Sequence, residues 1–162
     1  MILFHGAILT IECPLAHVGR DYLDFGKGFY LTKIENQAIQ WAKRVKFVRK
    51  SPVAVVNKYE FDYEAAIDAG YRRLCMNEYD RTWLDFITES RKGMKPWEDY
   101  DIIEGGVAND RVIDTVEDYM TGRITAEQAL GQLKFAVSNH QICVNNQEVI
   151  DNFLTFKESI EL

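Results

Sequence analysis

The chain has 162 residues, 47% of them hydrophobic and 27% charged, which is ordinary globular usage and predicts one domain over residues 1–162. Its net charge of −6 argues against nucleic-acid binding by the whole surface, because such binding depends on cations that neutralise phosphates. The sequence has neither an apolar run of about eighteen residues nor a signal-peptide layout, so we expect no membrane insertion and no secretion, and we expect a cytoplasmic protein.

The first predicted element is a buried strand. Residues 1–4 form an apolar run that ends at His5 and Gly6, so this strand delivers a histidine to its C-terminal end. Residues 12–28 show little periodicity and contain a proline and several glycines. This composition predicts a long ordered loop of the kind that often carries function.

A glycine loop, a short strand and a helix start are predicted within residues 24–32, DFGKGFYLT. Two glycines flank Lys27 and permit unusual backbone angles or the close approach of a ligand. The aromatic and apolar residues around Tyr30 are typical of a short buried strand. Thr32 and Glu35 then fit a capping box at the start of a helix. Tyr30 is therefore expected at the end of a strand and beside a helix.

The next helix is predicted to run to about Lys50. Apolar residues recur in it at spacings of three and four and form one stripe, which consists of Ala38, Trp41, Ala42, Val45 and Val48. Basic residues crowd its second half, and Lys43, Lys46 and Lys50 share one face at helical spacing. We interpret that face as solvated, with a local nucleic-acid contact as the alternative.

The rest of the chain completes an α+β pattern. Alternation within residues 53–63 predicts a half-exposed strand, and short strands are predicted at 100–104 and 139–144. The other predicted helices cover about 77–92, 109–122, a segment opened by a capping box of Thr125 and Gln128, and about 146–160.

Three segments of the sequence resemble a known superfamily. The segments FHG at 4–6, DFGKGFYLT at 24–32 and NHQI at 139–142 are similar to the signature strands of the ADP-ribosyltransferases. The resemblance is to the branch with a His, Tyr, Glu-type triad, which poly(ADP-ribose) polymerases share with diphtheria-like toxins. Related small bacterial proteins carry glutamine in the last strand. The implied fold is a pair of split antiparallel β-sheets that enclose an NAD cleft, with helices packed outside.

The resemblance also implies roles for individual residues, with His5, Tyr30 and Gln141 as the catalytic set. His5 would bond a ribose hydroxyl of NAD, the backbone of Gly6 would hold the nicotinamide carboxamide, and Tyr30 would stack on the nicotinamide ring. Trp41 matches the position of a second aromatic that closes the other side of the ring, with core packing as the alternative. Gln141 stands where glutamate is usual, and its amide can orient a hydroxyl but cannot supply charge.

Two further groups of residues are candidate contacts. Asp24 and Lys27 flank the glycine loop and would touch NAD phosphates or the acceptor, with simple turn chemistry as the alternative. Asn109, Asp110 and Arg111 form a polar cluster at a predicted helix start, where amides suit an anion or a substrate. The alternative for this cluster is a helix cap and a surface arginine.

No metal site is expected. Cys13, Cys75 and Cys143 are odd in number and show no close pairing, which argues against a disulfide framework or a structural zinc site. Cys13 and His17 form a lone i, i+4 pair in a predicted loop, which is insufficient for a metal site. We expect three free thiols.

The function implied by the resemblance is mono-ADP-ribosyltransfer from NAD to a macromolecular acceptor, either protein or nucleic acid. Cleavage of the nicotinamide glycosidic bond passes through an oxocarbenium-like state, so the site must clamp the dinucleotide and stabilise positive charge on the ribose. Without a carboxylate at Gln141, single transfer is favoured over chain elongation. The alternatives are an NAD glycohydrolase and a non-catalytic module that binds NAD or ADP-ribose. Similar bacterial proteins imply a toxin of a toxin-antitoxin or phage-defence system, with an antitoxin protein as partner.

Overall fold

A computed structural model describes residues 1–106, 108, 110–136 and 139–162, without the side chains of residues 110 and 111. The strands β1 to β7 are Ile2–Ala7, Phe29–Leu31, Val55–Phe61, Arg73–Met76, Ile102–Gly106, His140–Val144 and Leu154–Glu161. The helices α1 to α6 are Glu35–Arg49, Tyr63–Asp68, Arg81–Arg91, Asp110–Met120, Ala126–Leu133 and Gln147–Phe153, and a short 3-10 helix covers Pro96–Asp99. None of the helices in these ranges is long and apolar enough to cross a membrane.

The strands form two sheets. The first has the order β1-β3-β7 and is antiparallel throughout. The second has the order β2-β6-β5-β4, and in it only the pair β4–β5 is parallel. The predicted α+β class is therefore confirmed.

Buried side chains lie on both faces of the second sheet. In β6, Ile142 faces a core that includes Leu3 of β1 and Tyr59 of β3, between the two sheets. Cys143 points the opposite way, as period-two alternation requires, and packs in a second core with Trp83 of α3. Because both faces are covered there, the second half of β6 is a continuous apolar run, Ile142 to Val144.

The two predicted capping boxes have different outcomes. The box of Thr125 and Gln128 at the start of α5 is confirmed. The box of Thr32 and Glu35 is wrong, because α1 begins at Glu35 with Ile34 as its N-cap. Thr32 is still held in the sheet by its backbone, and its hydroxyl accepts from the Ile34 N–H at 3.1 Å.

The final predicted helix is also wrong in its second half. Helix α6 ends at Phe153, and Leu154–Glu161 forms β7 along the edge of β3. Phe156 packs edge-on against Tyr59 with ring centroids 5.8 Å apart, a contact between residues far apart in the chain. Pairing with β3 therefore decides the structure of a segment whose local pattern also fits a helix.

Candidate functional site

The two sheets meet along β1 and β2. Phe4 and Thr32 exchange both backbone hydrogen bonds, at 2.8 and 2.9 Å, and make the one bridge between these strands in the described part of the chain. On the other edge, Met1, which precedes β1, exchanges backbone hydrogen bonds with Phe61 of β3 in the same way. Because the bonds of an antiparallel strand alternate, the even-numbered residues of β1 direct their peptide groups toward β2.

Beyond this bridge the strands part. The N–H and C=O of Gly6 face β2, yet no described residue forms a hydrogen bond with them. The C=O of Tyr30 would pair with Gly6 if the ladder continued, but it is 2.7 Å from Nδ1 of His5. We call the opening bounded by His5, Gly6 and Tyr30 the strand gap.

Gly6 packs directly against α1. A Cβ atom at this position would overlap the carbonyl oxygen of Ala38 and would lie 2.8 Å from the backbone nitrogen of Ala42. Both contacts are with backbone, so the neighbours cannot rotate away, and only glycine allows α1 to approach β1 this closely. Gly6 is consequently a buried residue.

His5 is held in a defined protonation state by its surroundings. Burial lowers its pKa below 6.5, although the bond to Tyr30 raises it, so the ring is neutral at pH 7. A carbonyl oxygen only accepts, so Nδ1 must carry the proton and donate it to Tyr30. The ring stacks on that of Phe29 with centroids 4.5 Å apart, and the unprotonated Nε2, which has no hydrogen-bond partner among the described residues, is an acceptor.

Tyr30 offers its ring rather than its hydroxyl. The hydroxyl donates to the C=O of Gly26 at 2.7 Å and accepts from the N–H of Phe25 at 3.0 Å. The ring lies nearly parallel to that of Phe25, with centroids 6.4 Å apart. Burial raises the pKa of the phenol well above its ordinary value, so Tyr30 remains protonated. It anchors the glycine loop and presents an aromatic surface.

Gln141 shares a sheet face with Tyr30. Tyr30 lies directly opposite Cys143, and Gln141 is two residues before Cys143 on β6, which places it on the same face as a diagonal neighbour. No described residue forms a hydrogen bond with its side chain. His140 points to the other face, as its position in the strand predicts. The structure thus brings Tyr30 and Gln141 to one face and joins His5 to Tyr30 through the backbone.

Sequence reasoning missed a buried carboxylate on the opposite face of the same sheet. Glu104 of β5 accepts from Tyr63 OH at 2.7 Å, from His140 Nε2 at 2.7 Å and from Lys33 Nζ at 3.0 Å. These bonds, led by that of His140, lower its pKa from 4.5 to about 2 against the opposing effect of burial. The available signal was one charged residue within an otherwise apolar strand, IIEGG.

Trp41 lies on the outer part of α1. Its side chain is 43% exposed, and the guanidinium of Arg44 lies 5.9 Å from its ring centre. The predicted buried stripe is therefore wrong for Trp41, and it is also wrong for Val48, which is 68% exposed. Ala38 and Ala42 are the residues that meet β1, because the close approach at Gly6 leaves room only for small side chains.

The two candidate residues of the glycine loop have protein partners. Asp24 is buried, and its carboxylate pairs with Arg91 of α3 at 2.7 Å and accepts from the Ala108 N–H at 3.2 Å. Lys27 pairs with Asp21 at 2.9 Å on the surface. Asp24 thus holds the loop against α3, whereas Lys27 remains near solvent.

The third candidate group cannot be placed in the same way. Asn109 lies outside the described residues, as do the side chains of Asp110 and Arg111. The backbones of Asp110 and Arg111 open α4, which follows β5 and its two terminal glycines.

A surface cavity of about 540 Å³ lies beside the glycine loop. Lys27, Trp97 and Asn145 are among its lining residues, whereas His5, Tyr30 and Gln141 are not. Residues 1–106, 108, 110–136 and 139–162 contain no group of three or more His, Cys, Asp or Glu that could hold a metal ion.

The matches to known proteins place the chain in a family. No curated protein and no solved structure matches it. A family model described as "Protein of unknown function (DUF3990)" matches residues 1–156, a span that contains His5, Gly6, Tyr30 and Gln141. The chain therefore belongs to the DUF3990 family.

Proposed function

We propose that the strand gap binds the nicotinamide end of NAD and that the protein transfers ADP-ribose to a macromolecular acceptor. The observation that carries this proposal is the unpaired N–H and C=O of Gly6, which face the gap. Buried peptide groups without partners are unfavourable by about 1–3 kcal/mol each, so a ligand that pairs them is stabilised.

The chemistry of a primary carboxamide matches this pair of groups. Its oxygen accepts one hydrogen bond and its NH₂ donates, so it needs one donor and one acceptor side by side. A single strand residue directs its N–H and C=O to the same side and supplies both at once. Gly6 therefore complements nicotinamide, and it complements the carboxylate of nicotinic acid poorly because its C=O would face an acceptor.

The neighbours of Gly6 extend this complementarity. The neutral ring of His5 presents Nε2 as an acceptor, and a ribose hydroxyl is a donor that suits it. Tyr30 lies across the gap and provides an aromatic ring for stacking on the nicotinamide. The parting of the two sheets at Phe4 and Thr32 agrees with the split-sheet fold that the resemblance to ADP-ribosyltransferases implies.

The chemistry supplied by NAD is cleavage of its glycosidic bond to nicotinamide, with positive charge developing on the ribose. On the face that carries Tyr30, the residues of β5 and β6 are Ile103, Gly105, Gln141 and Cys143, none of which is a carboxylate. Gln141 can orient a ribose hydroxyl without offsetting charge. Losing one electrostatic stabiliser typically slows such a step by about 100-fold to 1,000-fold, so slow single transfer is the expected activity.

The same feature favours one alternative. If the neutral amide leaves too little charge stabilisation, the protein binds NAD or ADP-ribose without reaction. A third outcome is hydrolysis, in which water replaces the macromolecule as acceptor.

Incubation with NAD labelled in its ADP-ribose part, together with a cell lysate, separates these outcomes. A labelled macromolecule supports transfer, free labelled ADP-ribose alone supports hydrolysis, and bound NAD without product supports the binding module. His5→Ala should abolish any product, because it removes the acceptor at Nε2. His17→Ala is the matched control, since His17 lies against Trp97, outside the strand gap. The proposal is wrong if NAD does not bind, or if His5→Ala retains full activity while circular dichroism shows both variants folded.

A further inference from the structure

The charge of this protein is strongly segregated along the chain. Residues 36–59 contain six lysines and arginines and no aspartate or glutamate. Because the whole chain carries −6, this segment contributes +6 and the remaining residues contribute −12. A chain with a net negative charge thus presents one concentrated basic region, most of which lies on α1.

The solvent-facing side of α1 combines these cations with exposed apolar side chains. Phe47 is 85% exposed, and Trp41 and Val48 are also exposed. On a helix, Phe47 neighbours Lys43 at i−4 and Lys50 at i+3. We call this set the basic aromatic face, and it comprises Trp41, Lys43, Arg44, Lys46, Phe47, Val48 and Lys50.

Three lysines of this face are available to an external anion. Lys43, Lys46 and Lys50 form no ion pair with any residue that the structure describes, whereas cations elsewhere in the same ranges, such as Lys27 and Arg91, pair with carboxylates at 2.7–2.9 Å. A phosphate-rich polymer would be attracted to them, whereas the acidic remainder of the surface would repel it.

The exposed rings favour single-stranded nucleic acid as the polymer. The bases of a single strand are free to stack on aromatic side chains, whereas those of a duplex are already stacked on each other. Unpaired lysines beside an almost fully exposed phenylalanine supply both parts of such a site, namely phosphate neutralisation and base stacking. An acidic protein segment would use the charges but gives no reason for the exposed ring.

We propose that the basic aromatic face of α1 binds single-stranded RNA or DNA. Binding does not require NAD, so this inference stands or fails independently of the proposed function. The same helix covers Gly6 with its opposite side through Ala38 and Ala42, so a bound strand would lie on the element that closes the strand gap.

The test is fluorescence anisotropy with labelled 20-nucleotide oligo(dT) and oligo(U), titrated with the full-length protein at several salt concentrations. Phe47→Ala should weaken binding about 5-fold to 150-fold, the range expected for losing one base–aromatic stack. Phe135→Ala is the matched control, because Phe135 is 87% exposed but lies beyond α5, and it should leave binding unchanged.

The double variant of Lys43→Gln and Lys46→Gln tests the phosphate contacts. If both lysines neutralise phosphates, the slope of log affinity against log salt should become shallower by about 1.4. Both lysines lie on a solvated helix face, so the variant should fold, which circular dichroism checks.

Four results would overturn the proposal. One is an absence of binding to either oligonucleotide at low salt, and another is an equal loss of affinity for Phe47→Ala and Phe135→Ala. The third is a duplex of the same length that binds as tightly as the single strands. The fourth is tighter binding to vesicles of anionic phospholipid or to polyglutamate, which would assign the face to a membrane surface or to an acidic protein.

Discussion

Replacing Glu104 by glutamine should destabilise the protein mainly through loss of charge. Glutamine has the shape of the protonated carboxyl group, so the variant imitates the acid form of Glu104. A pKa lowered from 4.5 to about 2 corresponds to about 3 kcal/mol of stability at neutral pH, an upper value for the loss. The side chain of Glu104 is only 10% exposed and is bonded to His140 and Lys33, so solvent screens this contribution little.

The direction of the pKa shift of Glu104 determines how its contribution to stability changes with pH. Because folding lowers the pKa of Glu104, its contribution is fully present above about pH 4.5 and disappears as pH falls through about 2. Urea unfolding followed by tryptophan fluorescence should show a difference in the free energy of unfolding that is constant from neutral pH down to about pH 5 and then decreases toward about pH 3.

Glu158→Gln is the matched control for this experiment. Glu158 also accepts from a lysine, Lys58, at 2.8 Å, but its side chain is 53% exposed. Exposed ion pairs contribute little, so this variant should unfold almost like the wild type at every pH. Glu104 does not stabilise the fold through its charge if Glu104→Gln loses no more stability than the control, or if its loss is the same at about pH 7 and about pH 3.

Three further substitutions test other parts of the structure. Tyr30→Phe removes the hydroxyl that holds Gly26 and should lower the free energy of unfolding by about 1–2 kcal/mol in urea titrations, whereas an unchanged midpoint would show that this bond is not stabilising. Gly6→Ala forces a Cβ onto the backbone of Ala38 and should lower the free energy of unfolding by about 1–3 kcal/mol, so equal stability would contradict the close packing of α1. Thr125→Ala removes the confirmed capping box and should lower the free energy of unfolding by about 1 kcal/mol, measured by thermal unfolding, and no change would show that the cap of α5 contributes nothing.

Features set by neighbouring residues could be predicted from the sequence. The capping box of Thr125 and Gln128 depends on residues three positions apart, and it forms as predicted. The strand around Tyr30 and a strand within residues 53–63 also form, because alternation and aromatic content are local signals. The predicted half-exposure of the second strand is wrong, because β3 lies between β1 and β7 and is mostly buried. Thr32 is an exception, since its pairing with Phe4 keeps it in the sheet.

Features set by distant residues could not be predicted. β7 exists because β3 offers it an edge, and its own sequence also fits a helical stripe. Glu104 acquires its partners from Lys33 and Tyr63, which are 71 and 41 positions away in the chain. The strand gap depends on where two strands part, and the sequence around Gly6 specifies neither strand's partner.

The exposure of α1 illustrates the same limit. Helical spacing placed Trp41 and Val48 on the buried stripe. In the structure, α1 lies so close to Gly6 that Ala38 and Ala42 form the buried contact instead. A glycine on the facing strand shifts the helix contact to the smallest side chains. Recognising this requires knowledge of which strand the helix covers.

The proposed nicotinamide site requires that the peptide groups of Gly6 bind a carboxamide. Titration of the ¹⁵N-labelled protein with nicotinamide, followed through the backbone amide signal of Gly6, measures this contact. We predict a saturable shift of that signal with nicotinamide and with NAD, and a much weaker one with nicotinic acid, whose carboxylate cannot donate to the C=O of Gly6. A Gly6 signal that remains unchanged at high concentrations of nicotinamide and NAD would show that the strand gap does not bind nicotinamide.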